Sequence, residues 1–429
     1  MTGVVLRRPV GSTAVSVGVI VGVLAAPATA HADPSTTGRW VVSWAASPTM
    51  AGTFPDLACP SGSGLHDQTV RNVLSTSVGG TRVRVRLANT FGGQPLRIGR
   101  ATVALVEAGA ATVPGSTRML TFGGEQSVTI PPGAETSSDP VPLRVPALRQ
   151  LAVSVYLPDQ TGPATQHLFA QQHNYLSDGD AALASSAVPY TTAISCWLFV
   201  DGVDVSASRP VTGAVVALGD SITDGAGSTV DANRRWPDDL ARRLDAQRGP
   251  TLAVANAGIT GNEVVLDRQP VVFGPSALHR LDRDVLAQTG ARTVILLEGI
   301  NDIGGDHIDA NQLIAADTEI ISRVHARGMR ILGGTLTPFI GSHEQYGGDY
   351  GTPWGEQQRQ AVNQWIRTAG AFDSVVDFDR ATADPTEPDR LYPPYDSGDH
   401  LHPGDAGYAA MADAIDLDQL LPASTKGRR

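Results

Sequence analysis

Hydrophobic residues follow two different rhythms along this chain. From about Trp40 to Val205 they alternate with polar ones in short runs broken by Gly and Pro. Thr81-Arg-Val-Arg-Val-Arg-Leu87 sets Val83, Val85 and Leu87 on one face and arginines on the other. Leu151-Ala-Val-Ser-Val-Tyr-Leu157 alternates in the same way, and Ser127-Val-Thr-Ile130 is a shorter run stopped by Pro131, Pro132 and Gly133. Period-two runs between Gly/Pro turns predict an antiparallel β-sandwich. The arginine face of the first run reads as a solvated strand face, with an anion site as the alternative.

From about Gly213 the rhythm changes to apolar runs separated by amphipathic stretches. The runs are Gly213–Leu218, Thr251–Ala255, Thr293–Glu298, Met329–Gly333 and a short one at Val375-Val376. Helical periodicity fills Pro237–Gln247, Ala277–Gln288, Ala310–Arg327 and Glu356–Ala369, with Gly328 placed to end the third. Buried strands alternating with amphipathic helices imply a parallel sheet covered on both faces. The α/β part is therefore expected to be a flavodoxin-like three-layer α/β/α domain over residues 210–422, preceded by a β-sandwich domain over 38–207.

Before that lies a different kind of segment. Arg7 and Arg8 precede apolar residues from about Ala14 to Ala26, then small residues up to Ala32. This is the pattern of a signal peptide over residues 1–32, with an uncleaved membrane anchor as the alternative. The expected location is extracellular. In an oxidising compartment the two cysteines, Cys59 and Cys196, are most simply one disulfide; two buried thiols are the other reading. The net charge of −11 argues against nucleic acid or an anionic membrane surface as partner.

The candidate chemistry sits where the apolar runs stop. Gly219-Asp220-Ser221 follows the first, so Ser221 is placed at the carboxyl edge of the sheet, where open α/β folds put their ligands. A serine there is a helix cap or a nucleophile, and a nucleophile needs an imidazole to take its proton and an acid to orient that imidazole. Asp399 and His402 stand three apart in a turn-rich stretch before the last helix. His400 competes as base, and Asp396 and Asp405 as orienting acid. An acyl-transfer intermediate also needs oxyanion donors. The Ser221 N–H, the Gly261 N–H after the second run and the Asn301 amide after the third are the candidates, all on one rim. Asp220 and Asp302 read as structural, Gly258 as a turn glycine or a donor, and stacking on a sugar or acyl group is the alternative rather than the first reading for Tyr346 and Trp354.

These four blocks, Gly-Asp-Ser, the Gly261 loop, Gly-x-Asn-Asp and Asp-x-x-His, resemble the SGNH or GDSL hydrolases over roughly residues 213–418. The resemblance implies a serine esterase with Ser221 as nucleophile, His402 as general base and then acid, Asp399 as its orienter, and Ser221, Gly261 and Asn301 as oxyanion hole. It implies an ester substrate; the residues themselves lead to the expectation of no cofactor or metal, and the absence of another long apolar segment to that of no stable membrane association. Trp40-Val-Val-Ser-Trp44-Ala-Ala-Ser47-Pro48 is similar to the opening of a secreted subgroup found beside xylan-degrading enzymes. That resemblance makes acetylated polysaccharide the leading substrate class. Lipid esters are the runner-up, and a non-catalytic polysaccharide-binding protein is the alternative of another class. Oligomeric state is not legible in the chain.

Overall fold

In the computed structural model, which describes residues 38–421 except Asp56, the apolar runs of the second rhythm form a five-stranded sheet. Its strands are β1 (Val211–Gly219), β2 (Thr251–Gly258), β3 (Ala291–Leu297), β4 (Arg330–Gly334) and β5 (Ser374–Val376). All pairings are parallel, and the spatial order is β2-β1-β3-β4-β5. This is the flavodoxin-like order, with its switch point beside the first strand. Gly219 pairs with Gly258 of β2 and with Leu297 of β3. The three strands therefore stop level, and the loops that follow them open on a single rim.

Helices α1 (Ser221–Asp224), α2 (Trp236–Ala246), α3 (Ala277–Leu281), α4 (Ile300–Asp306), α5 (Ala310–Ala326), α6 (Pro353–Thr368) and α7 (Asp405–Asp413) fall into two packed groups. α2 lies against β2 and α7, while α5 packs with α3 and α6. The apolar face of α2, Trp236, Leu240, Ala241 and Leu244, is buried at helical spacing. α5 starts on an Asp309 cap that accepts from the Asn311 and Gln312 N–H groups, and Gly328, at φ +67°, ends it. The helix expected over Ala277–Gln288 is α-helical only to Leu281. Asp282–Leu286 then widens into a π turn closed by the Ala287 N–H on the Asp282 carbonyl (2.9 Å). Arg280 and Asp284, on either side of the change, are both buried and pair at 3.5 Å.

Among the described residues, the first rhythm yields two small two-stranded sheets and two large antiparallel ones. One runs Trp40–Ala45, Val200–Ala207, Gly80–Ala88, Val141–Val145; the other has Gln68–Ser75 and Gln150–Leu157 at its centre. Val83, Val85 and Leu87 are fully buried, as their alternation requires. The opposite face is not the solvated one expected. Arg84 pairs with Asp204 at 2.7 Å and Arg86 with Asp201 at 2.8 Å, both aspartates from the neighbouring strand. The same arginines reach Thr289 and Gln288 of the α/β half. Period two marks which residues leave the core, but not whether another layer covers them. Cys59 and Cys196 are disulfide-bonded with Cα atoms 5.7 Å apart.

Residues from Gly38 onward cluster as one compact unit, and the apolar residues of both halves share one core. Backbone bonds from Val42 to Thr289 (2.9 Å) and from Val254 to the Ser77 hydroxyl (3.0 Å) stitch the halves together. The segment read as a signal peptide, residues 1–32, lies outside the described residues.

Candidate active site

Ser221 begins α1 immediately beyond β1. It is not the helix cap. Asp220 takes that role, accepting from the Ile222 N–H at 2.9 Å, which leaves the Ser221 hydroxyl unused by the helix. Its Oγ lies 2.8 Å from His402 Nε2. On the far side of the ring, Nδ1 lies 2.7 Å from Asp399 Oδ2. The other carboxylate oxygen, Oδ1, accepts from the backbone N–H groups of Leu401 (2.9 Å) and His402 (2.8 Å). Burial would raise the Asp399 carboxyl, but His402 and these donors outweigh it and hold the group well below the usual carboxylate range. Nδ1 therefore carries the hydrogen and Nε2 is free to accept from serine.

The competing residues are engaged elsewhere. Asp396 accepts from His400 Nδ1 at 2.6 Å, and Asp405 accepts from the Thr229 N–H at 2.8 Å. His400 sits at φ +62°, a left-handed kink held by its own N–H on Asp396 (3.0 Å). The kink turns two nearby histidines to two different carboxylates.

The donor candidates gather on the same rim. Gly261 adopts φ +78°, and a Cβ there would fall 2.3 Å from the Phe273 ring, so only glycine fits. Among the described residues, neither the Ser221 nor the Gly261 N–H finds a protein acceptor. Asn301 donates through Nδ2 to the Asn262 carbonyl (2.9 Å) and accepts from the Tyr350 hydroxyl (2.6 Å). That fixes the amide plane and leaves its second N–H for another acceptor. Gly258 serves close packing, since a Cβ there would lie 2.4 Å from the Asp224 nitrogen. Asp302 is buried and accepts from the Val264 and Val265 N–H groups (both 2.9 Å), tying the donor loop to α4. Burial raises its carboxyl to about 6 and that of Asp220 to about 7.

Tyr346 has a part that its sequence position did not suggest. Its hydroxyl donates to Asp399 Oδ2 at 2.9 Å and lies 3.3 Å from His402 Nδ1. It is thus a fourth donor around the acid rather than a free stacking surface. Trp354 is stacked at 3.9 Å on His307, which in turn bonds Asp349 at 2.6 Å, so one indole face is already covered. A short Gly- and Ser-rich loop before a helix carries no signal that its tyrosine folds back on a loop 53 residues later.

A hydroxyl, an imidazole and a carboxylate in series, beside unused N–H groups, can carry acyl transfer. The sequence bears this out: residues 217–410 match the model of the GDSL-like lipase/acylhydrolase family. This stretch is a GDSL-like lipase/acylhydrolase domain. That domain is accordingly one of a carboxylic ester hydrolase family. Solved structures similar to it include a GDSL-like lipase from Bacteroides thetaiotaomicron (18% identity, 49% of this chain and 90% of that one, TM-score 0.37). Others are a lipolytic G-D-S-L family protein from Veillonella parvula (20%, 47% and 94%, TM-score 0.34) and a carbohydrate acetylesterase from Sinorhizobium meliloti (14%, 49% and 98%, TM-score 0.38). No curated protein matches the chain. The GDSL domain begins inside β1 and ends in α7, so it contains all five residues gathered on the rim.

Proposed function

We propose that the chain is a secreted serine esterase working through an acyl-enzyme on Ser221, with acetylated plant polysaccharide such as xylan as its leading substrate class. The observation that carries the mechanism is the unbroken series Ser221 Oγ, His402, Asp399 with contacts of 2.8 and 2.7 Å. His402 takes the serine proton as Oγ attacks the ester carbonyl, and Asp399 stabilises the imidazolium that forms. The N–H groups of Ser221 and Gly261 and the free amide hydrogen of Asn301 receive the oxyanion. His402 then protonates the leaving alcohol, and water activated by the same ring releases the acid. Export agrees with the Cys59–Cys196 disulfide.

A second substrate reading has its own observation. Phe273 packs on Gly261, and Phe54 and Phe169 of the β-rich half join it with ring centroids 6.1 and 5.3 Å from one another in turn. Phe54 is 38% exposed. A partly exposed aromatic cluster beside an oxyanion donor favours a hydrophobic ester.

The test is a panel of acetylated xylan, short-chain and long-chain esters, run beside Ser221→Ala. Acetate release from xylan that disappears in Ser221→Ala, by on the order of 10⁵-fold in kcat, is expected. Preference for long-chain esters transfers the conclusion to the second reading. Failure of an organophosphonate to label Ser221, with sugar binding intact, overturns both in favour of a binding protein.

A further inference from the structure

His167 belongs to the β-rich half, in the two-residue strand Gln166–His167, yet it meets the turn that carries Ser221. Its Nδ1 donates to the Ser47 carbonyl at 2.8 Å and its Nε2 to Asp224 Oδ1 at 2.9 Å. Both partners accept only, so both ring nitrogens carry hydrogen and the ring is an imidazolium. The contact is sealed, each side chain being 4% exposed. The other charge at the site is Arg235, which donates through Nε to the Asp224 backbone carbonyl (2.9 Å) and through Nη2 to the Ala170 carbonyl. Trp197 packs against the His167 ring, with centroids 5.4 Å apart. Burial would lower the His167 proton affinity, but the Asp224 charge and the hydrogen bonds to Asp224 and Ser47 outweigh it and raise it.

Asp224 is the last residue of α1. Its second oxygen, Oδ2, accepts both the Thr260 N–H (2.9 Å) and the Thr260 hydroxyl (2.7 Å). Thr260 immediately precedes Gly261, so this one carboxylate joins the serine turn to the loop of the candidate oxyanion donor. Among the described residues, the ion-pair partner of its side chain comes from the β-rich half. Without the His167 donor, Oδ1 of the buried Asp224 is left with no partner, and a carboxylate that turns to find one loosens its hold on Thr260.

We propose that His167 is a positioning residue for ester hydrolysis: the β-rich half supplies the imidazolium that locks Asp224, and Asp224 holds Thr260 so that the Gly261 N–H faces the oxyanion. This rests on the reading of Ser221 as nucleophile. The oxyanion exists only in the transition state, so a misplaced donor lowers kcat and leaves KM nearly unchanged. A merely structural histidine would lower the amount of folded protein without changing turnover per folded site.

The experiment uses the full chain and 4-nitrophenyl acetate, with turnover counted per site titrated by a fluorophosphonate. His167→Gln is expected to lose about tenfold or more in kcat with KM within about twofold, less than outright removal of an oxyanion donor costs. Thr260→Val keeps the backbone bond and loses the hydroxyl bond, for a fall of about threefold. The double variant should be no worse than His167→Gln, because the two lie on one chain of contacts. Wild-type turnover per site in His167→Gln, or strictly multiplied losses in the double variant, overturns the proposal. If His167→Gln does not fold, wild-type turnover in Thr260→Val overturns it alone. Failure of the underlying reading looks different: Ser221→Ala would then match the wild type, and the proposal falls with it.

Discussion

The two halves of the molecule bury polar groups in opposite ways. In the β-rich half, buried Arg71 spends its guanidinium on the Ser154 hydroxyl and the Ala110 and Ala184 carbonyls. Asn72 there donates to the Leu198 carbonyl and accepts from the Leu198 N–H. These are cross-links, each group satisfied by a neighbour. In the α/β half, the buried carboxylates of Glu263 and Glu298 accept no well-aligned hydrogen bond among the described residues, although each lies against a guanidinium, Arg268 at 3.1 Å and Arg280 at 3.5 Å. Burial raises Glu263 to about 10, Asp220 to about 7 and Asp302 to about 6, and pushes Glu298 well above the usual range. Two of the four, Asp220 and Glu298, directly follow β1 and β3, and Asp302 lies in α4 just beyond, near the rim where Ser221 sits. Buried Thr112 and Ser195 hydroxyls without partners show that the β-rich half also carries exceptions, but among the described residues the unsatisfied buried carboxylates all lie in the α/β half.

The sharpest separation of the halves comes from the disulfide. It closes a separation of 137 residues within the β-rich half. Cys59→Ser with Cys196→Ser should lower stability by about 5 kcal/mol in the chain-entropy model. Turnover per titrated site should change by less than about twofold wherever the variant is folded. Urea unfolding and active-site titration check this, and a large loss of turnover at full stability would erase the division of labour.

What could be read from the chain follows the same line. Ser221, Gly261 and Asn301 were legible because each directly follows a run of apolar residues, and parallel strands bring such positions to one rim whatever lies between them. Asp399 and His402 were legible because they are close in sequence, where a loop alone can join them. The roles of His167 and Tyr346 were not. Each reaches its partner across a long separation, 57 and 53 residues, from a segment with no periodicity. The arginines of Gly80–Ala88 were misjudged for a related reason: alternation gives a face, while the layer over that face comes from the other half.

The raised acids give the next effect. A carboxyl held above its unfolded value binds more protons when folded, so stability is full below the unfolded value near 4 and declines as pH rises toward the folded one. Asp220, Glu263, Glu298 and Asp302 share that sign, as does Asp201, raised to about 7 in the β-rich half mainly by burial. His167, raised as well, contributes stability below about 6.5 that is lost at higher pH, in the same direction. Lowered groups such as Asp399 and Asp284 act oppositely, but only as pH falls below about 4. Stability should therefore drop from pH 5.5 to pH 8 by at least about 2 kcal/mol, and Asp220→Asn should flatten the slope. A denaturation midpoint that rises over this range would mean that the rim acids are ionised and paired.

The smallest effect concerns the residue that sits furthest from any sequence signal. Tyr346 is one of four donors to Asp399, with His402 Nδ1 and the two backbone N–H groups of Leu401 and His402. Tyr346→Phe leaves three of them, and because the tyrosine is 37% exposed, water can take the vacant position. The loss is then one partly exposed hydrogen bond to a charged acceptor, about 1 kcal/mol, or roughly fivefold in kcat/KM. It should appear without loss of organophosphonate labelling at Ser221, since the serine–histidine contact does not pass through the phenol. A fall of a hundredfold would instead mean that the phenol touches the reacting atoms. In that case the residue belongs among those the rim brings to the ester, and the fourth strand, whose following loop carries it, contributes to the reaction as directly as the first three.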